Sequence, residues 1–141
     1  MSRRGKDNSI KGKTAVGNKE RTYFLGEIFW TERSPWMNTP FGQNEMKPYR
    51  AGMVVVKSCN PDPVLMIPGT SRCLDDNGVF IPKTIAHNSS GTDIIGTYHF
   101  LYSRKVDRSF IVNDHQIGTI SGQDKMELIK ILNKNKINKS E

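Results

Sequence analysis

From Tyr23 to Val112 the apolar residues come in short runs, each stopped within a few positions by proline, glycine or a pair of turn-forming residues. A chain so often interrupted cannot build long helices. Short extended segments joined by turns are what such patterning allows. Gly26-Glu27-Ile28-Phe29-Trp30 is aromatic and β-branched and suits a strand, led in by Tyr23-Phe24-Leu25. Thr31 to Tyr49 is polar and holds Pro35, Pro40, Gly42 and Pro48, so it reads as one long loop, of a length that is often functional. Met53-Val54-Val55-Val56 reads as a central strand. Val64-Leu65-Met66-Ile67 reads as a second, stopped by a turn at Pro68-Gly69. Asn77-Gly78 signals a hairpin, and Val79-Phe80-Ile81 and Lys83-Thr84-Ile85 are strand pieces around Pro82. Asp93 to Tyr102 alternates: Ile95, Thr97, His99 and Leu101 share one face, and Ile94, Tyr98, Phe100 and Tyr102 belong to the other. Phe110-Ile111-Val112 is short and extended.

One helical pattern follows. Ser121 is a candidate N-cap with Asp124 at the third helical position, and Met126, Ile129, Leu132 and Leu128 make an apolar stripe. Many short strands and one late helix predict a mainly β protein, an antiparallel barrel with the helix packed on it.

Charge divides the 141 residues into three parts. Residues 1–21 carry seven lysines and arginines against Asp7 and Glu20, and residues 134–141 carry three lysines against Glu141. The net charge of +7 therefore belongs to the ends, and residues 22–133 are neutral overall. The expected organisation is a basic disordered arm (1–21), a barrel domain (22–133) and a basic tail (134–141). Such ends either attract phosphate without reading sequence or serve as solvated extensions. No stretch has the length of a membrane span, and the N-terminus lacks the apolar segment of a signal peptide, so a cytoplasmic protein is expected. Cys59 and Cys73 read as buried thiols near strand ends. His87, His99 and His115 are scattered, so no metal site and no cofactor is expected.

There is no phosphate-binding glycine loop and no nucleophile elbow. Arg50 stands between the long loop and an apolar strand, and Thr70-Ser71-Arg72 follows the next strand. Two strand ends of this kind can meet at one barrel rim, where a guanidinium beside hydroxyls would cradle a phosphate. The same spacing also allows a surface ion pair at Arg50 and a capped turn at Thr70-Ser71.

Several segments occur together in a familiar order. They are Gly26 to Trp30, Glu45 five residues before Arg50, Ile67-Pro68-Gly69-Thr70-Ser71, Arg104-Lys105-Val106-Asp107-Arg108, and Ile117-Gly118-Thr119-Ile120-Ser121. Over about residues 22–133 the chain resembles the MazF/PemK/Kid toxins of type II toxin–antitoxin systems. The resemblance implies an SH3-like barrel and a homodimer. It implies a metal-independent endoribonuclease, an mRNA interferase, that cleaves single-stranded RNA and is blocked by a cognate antitoxin protein. Arg50 then matches the catalytic arginine and Thr70 the catalytic threonine, with Ser71 the polar residue beside it. His99 is a candidate acid or base, or else a buried histidine. Glu45, Arg72 and Arg104 are candidates for substrate contact, although a structural role is expected for Arg104 and Asp107, and for Glu27. Trp36 and Phe41 either stack on splayed bases or cover the open end of the barrel. The chain departs from the pattern at Ala51-Gly52, where proline usually follows the arginine, and at Pro68-Gly69 before Thr70. A binding module on the same barrel is the alternative function, for nucleic acid or for a protein target. A gyrase poison like CcdB is disfavoured, because those relatives lack the arginine–threonine pair.

Overall fold

The computed structural model describes residues 20–43, 48–70, 78–87, 96–112 and 116–135. The expected terminal arm and tail, and Ser71, Arg72, Cys73, Glu45 and His115, lie outside the described residues apart from the inner ends of arm and tail at Glu20, Arg21, Lys134 and Asn135.

The protein is mainly β. Eight strands are β1 (Glu27–Glu32), β2 (Tyr49–Val54), β3 (Val64–Thr70), β4 (Val79–Phe80), β5 (Ile85–His87), β6 (Thr97–His99), β7 (Arg104–Val106) and β8 (Gly118–Ile120), followed by the helix α1 (Gly122–Asn135). They form an antiparallel sheet in the order β4-β6-β3-β2-β1-β8-β5, with β7 also paired to β3. The two strands at the ends of this path, β4 and β5, are consecutive in the chain. A flat sheet of this many strands would hold its edges ~29 Å apart. The link from Phe80 to Ile85 reaches at most ~18 Å. The sheet must therefore curl, and it forms an open half-barrel.

Both faces of the sheet are covered. One face carries Ile28, Ala51, Met53, Ile67 and Tyr98, and α1 packs Leu128 and Leu132 into it. The other carries Phe29, Val54, Val64 and Met66 beneath Trp36, Phe41 and Ile111. Alternation along β1, β2 and β3 delivers residues to the two clusters in turn. Each large side chain so buried contributes ~1.5–3 kcal/mol.

Five expectations are corrected, the first being that the strand expected to run to Tyr102 ends at His99, where a 3₁₀ turn spans Phe100–Tyr102. β3 does not stop at Ile67; it runs through Pro68-Gly69 to Thr70, because β3 changes partner there. Residues 64–66 pair with β7 and residues 69–70 with β6, so Pro68 falls where that edge needs no donor. The loop from Thr31 is partly ordered, since β1 continues to Glu32 and 3₁₀ turns span Ser34–Trp36 and Pro40–Gly42. The helix buries Asp124, Leu128 and Leu132, whereas Met126 and Ile129 are exposed. The reason is a carboxylate that faces inward. Asp124 Oδ2 accepts from the Lys83 and Thr84 N–H groups, both at 2.9 Å, and this turns the helix about its axis. The Ser121 hydroxyl accepts from Asp124 N–H at 3.1 Å, as an N-cap should. Finally, Cys59 is exposed rather than buried. The strand β8, within Ile117 to Ser121, carries no alternation of its own and was legible only as part of the motif order. Among the described residues no helix is long and apolar enough to cross a membrane.

Candidate functional site

Strand register decides what stands beside Arg50. β1 and β2 pair from Ile28↔Met53 to Glu32↔Tyr49, which sets Thr31 opposite Arg50. The buried Thr31 hydroxyl donates to the Arg50 carbonyl at 2.7 Å and accepts from the Trp36 indole N–H at 2.9 Å. The backbone at Arg50 is thereby held from both strands.

The β2–β3 ladder pairs Val54↔Met66, Met53↔Ile67 and Gly52↔Pro68. Val55 N–H bonds the Leu65 carbonyl at 3.0 Å. Hydrogen-bonded and non-hydrogen-bonded pairs alternate, so Gly52↔Pro68 is of the second kind, the one a proline can occupy. The ladder ends at Gly52↔Pro68; beyond it Arg50 reaches the end of β3 through its side chain, which bonds the carbonyl of Gly69, the residue before Thr70. β3 then meets β6 through Gly69↔Tyr98 and Thr70↔Thr97. By alternation Arg50, Thr70, Thr97 and His99 share one face at one end of the sheet, and Gly69 and Tyr98 share the other.

The half-buried Arg50 guanidinium is fixed by backbone. Nη1 donates to the Gly69 carbonyl at 3.1 Å and Nη2 to the Phe41 carbonyl at 3.0 Å. Its central carbon lies 5.6 Å from the centroid of the Phe41 ring. Among the described residues Nε is buried and has no hydrogen-bond partner, and no carboxylate pairs with the group. Burial lowers its pKa from the ordinary arginine value, yet a guanidinium remains charged at neutral pH. Among the described residues the result is a cation without a counter-charge, anchored to the carbonyl that precedes Thr70.

The remaining candidates divide. Thr70 is 7% and His99 1% exposed. The His99 ring lies 4.8 Å from that of Phe41 and 6.4 Å from that of Tyr102, which matches the buried-histidine alternative. Trp36 and Phe41 are 0% and 3% exposed, so neither ring is presented for stacking on bases; both belong to the packing under Arg50. Arg104 donates from Nε to Asn38 Oδ1 at 3.3 Å and from Nη1 to the Ser103 carbonyl at 2.9 Å. Asp107 caps the turn Arg108–Phe110 by accepting from Ser109 N–H at 2.9 Å. Glu27 pairs with Arg21 at 2.8 Å. These three serve the scaffold. The side chain of His87 lies outside the described part of the structure. Among the described residues no three metal-ligating side chains gather.

Both departures beside the pair have a physical reason. A Cβ on Gly69 would lie 2.5 Å from Tyr98 Cε2, so the Tyr98 ring occupies the place of a side chain. A Cβ on Gly52 would lie 3.0 Å from the Met66 methyl group, which fills that space. Two contributors were not singled out from sequence. Thr97 was placed on the His99 face without a role, and Thr31 gave no signal beyond a hydroxyl in an apolar run.

No family model, curated protein or solved structure matches the chain. The chemistry of the site therefore has to be argued from the arrangement itself. A half-exposed cation held by backbone carbonyls, with no carboxylate partner among the described residues, is suited to an anionic oxygen such as that of a phosphate.

Proposed function

We propose that the protein is an endoribonuclease that cleaves single-stranded RNA, as its resemblance to the MazF/PemK toxins implies. The observation that supports this reading most is the Arg50 guanidinium bonded to the carbonyl of Gly69, next to Thr70 in the chain, with no carboxylate partner among the described residues. In the reaction the substrate's own 2′-oxygen forms a bond to phosphorus and the bond to the 5′-oxygen breaks. The 2′-hydroxyl proton passes to a base and the departing 5′-oxygen takes one up, leaving a 2′,3′-cyclic phosphate and a 5′-hydroxyl. This use of the 2′-hydroxyl limits the enzyme to RNA. Arg50 stabilises charge on the phosphorane and Thr70, with Ser71, donates to its oxygens. A homodimer in the cytoplasm, held in check by an antitoxin protein, goes with the same reading.

Incubating the protein and its Arg50→Ala variant with a long single-stranded RNA in EDTA tests it. Cleavage by the parent, slowed at least ~100-fold in the variant, is expected. No cleavage by the parent, or equal cleavage by both, contradicts it.

One observation favours a second reading. Both terminal nitrogens of Arg50 already donate to carbonyls, and Thr70 and His99 are almost wholly covered. A barrel that binds RNA without cutting it has these properties. RNA retained with unchanged ends would support that alternative.

A further inference from the structure

A concave site opens at the end of the β1–β2 pair, one residue beyond Arg50. Its volume is about 610 Å³ and it is lined by Glu32, Arg33, Ser34, Met37, Pro48 and Tyr49. Glu32 and Tyr49 are the last cross-strand pair of β1 and β2, directly after Thr31↔Arg50. Strand alternation therefore sends them to the face opposite Arg50. Tyr49 is 51% and Met37 47% exposed, an open aromatic and an open thioether across one hollow. Glu32 is exposed, and among the described residues its carboxylate has no hydrogen-bond or ion-pair partner. Arg33 is anchored by Nη1 to the Gly42 carbonyl at 2.7 Å, and among the described residues its other donors have no partner.

We infer that this hollow is a nucleobase subsite that reads guanine in the strand whose phosphate meets Arg50; the inference rests on the proposed RNA-binding function. A volume of this size is ordinary for a small-molecule site, ~300–1,000 Å³. Tyr49 provides a ring on which a base stacks. The polar groups then choose among bases. A carboxylate accepts two hydrogen bonds side by side and donates none. Guanine alone among the four bases presents two adjacent donors on its pairing edge, the N1–H and the 2-amino group, followed by an acceptor, O6. A carboxylate next to an arginine complements that order. Adenine and cytosine offer one donor group beside an acceptor, and uracil one N–H between two acceptors. A carboxylate facing an acceptor also repels it, so Glu32 rejects as well as selects.

The test uses RNA that cannot be cut. Fluorescent 2′-O-methyl oligouridylates carry guanine, inosine, adenine or cytosine at one position, and anisotropy gives their affinities. Guanine is expected to bind ~10-fold more tightly than adenine or cytosine. Inosine, which lacks the 2-amino group, falls between. Glu32→Gln brings the guanine oligomer down to the adenine level, and Tyr49→Ala weakens all four. Equal affinities across the series, or a guanine preference that survives Glu32→Gln, overturn the subsite and leave the RNA-binding reading standing. No binding of any oligomer by the parent overturns both. A lysine-containing peptide that binds through Glu32 while RNA does not would assign the hollow to a protein partner, which also overturns it.

Discussion

Arg50 and Arg108 are both partly enclosed guanidiniums beside an aromatic ring, and their surroundings differ in one respect that separates scaffold from site. Arg108 is 6% exposed and lies 5.0 Å from the Tyr23 ring. It donates to the Asp62 carbonyl at 2.6 Å, to the Arg21 carbonyl at 2.6 Å and to Ser58 Oγ at 3.1 Å. It thereby ties the chain entering β1 to the turn before β3. All three of its nitrogens are engaged. Arg50 is half-buried, uses two nitrogens and leaves Nε unused, with Thr70, Thr97 and His99 on its face of the sheet. A saturated, enclosed arginine is explained by the fold it holds. A half-exposed arginine with no carboxylate partner among the described residues is explained better by something the protein has yet to bind.

The comparison breaks most visibly at Arg108. Arg108→Ala removes three charge-assisted bonds from a buried side chain, two of them to backbone carbonyls, and ~3 kcal/mol of stability should be lost in urea unfolding. Arg108→Lys should recover little, because one ammonium cannot reach three separated acceptors. Arg50→Ala should cost less than half as much in the same measurement, since it removes two bonds rather than three from a side chain that is only half-buried. Equal losses would make the two arginines alike and remove the distinction.

Next in size is Gly69→Ala. The added methyl meets the rigid Tyr98 ring, and ~2 kcal/mol of destabilisation is expected. Gly52→Ala meets only the movable end of Met66 and should cost under ~1 kcal/mol. Because both glycines flank the Arg50–Thr70 pair, thermal unfolding of the two variants shows which side of the pair is rigid.

The smallest predicted effect concerns acid. Burial by itself would raise the Asp124 pKa, but hydrogen bonds from Thr84, Lys83 and Ser121 and the charge of Lys83 outweigh it, and the carboxyl lies below its ordinary value. A depressed pKa contributes stability that is fully present above the unfolded value, ~3.9, and is lost as pH falls through the folded one. Asp124→Asn should flatten the stability–pH curve below about pH 4 and lower the plateau above it by ~1–2 kcal/mol. Parallel curves for parent and variant would show that the clasp between β5 and α1 carries no such coupling.

The sequence conveyed the strand positions better than their ends. Alternation at Thr97, Tyr98 and His99 was legible because each side chain has one face to choose. Pro68-Gly69 misled because local turn chemistry cannot reveal a strand that exchanges neighbours at that point. The helix face was misjudged because Asp124, a polar residue, points inward to backbone N–H groups forty residues away. Trp36 and Phe41 lie in a polar segment, and only tertiary packing makes them core. The approach of Arg50 to the end of β3 at Gly69 depends on a register between β2 and β3. No single motif encodes it, and the order of motifs hinted at it only through resemblance.

The central claim is that the Arg50–Thr70 face handles RNA phosphate chemically. It is tested most directly by the ends that the protein leaves on single-stranded RNA in EDTA. Fragments bearing 2′,3′-cyclic phosphates and 5′-hydroxyls, formed by the parent and lost in an Arg50→Ala variant that remains folded, are predicted. RNA left intact by the parent, or cut with the same ends by both proteins, would contradict it.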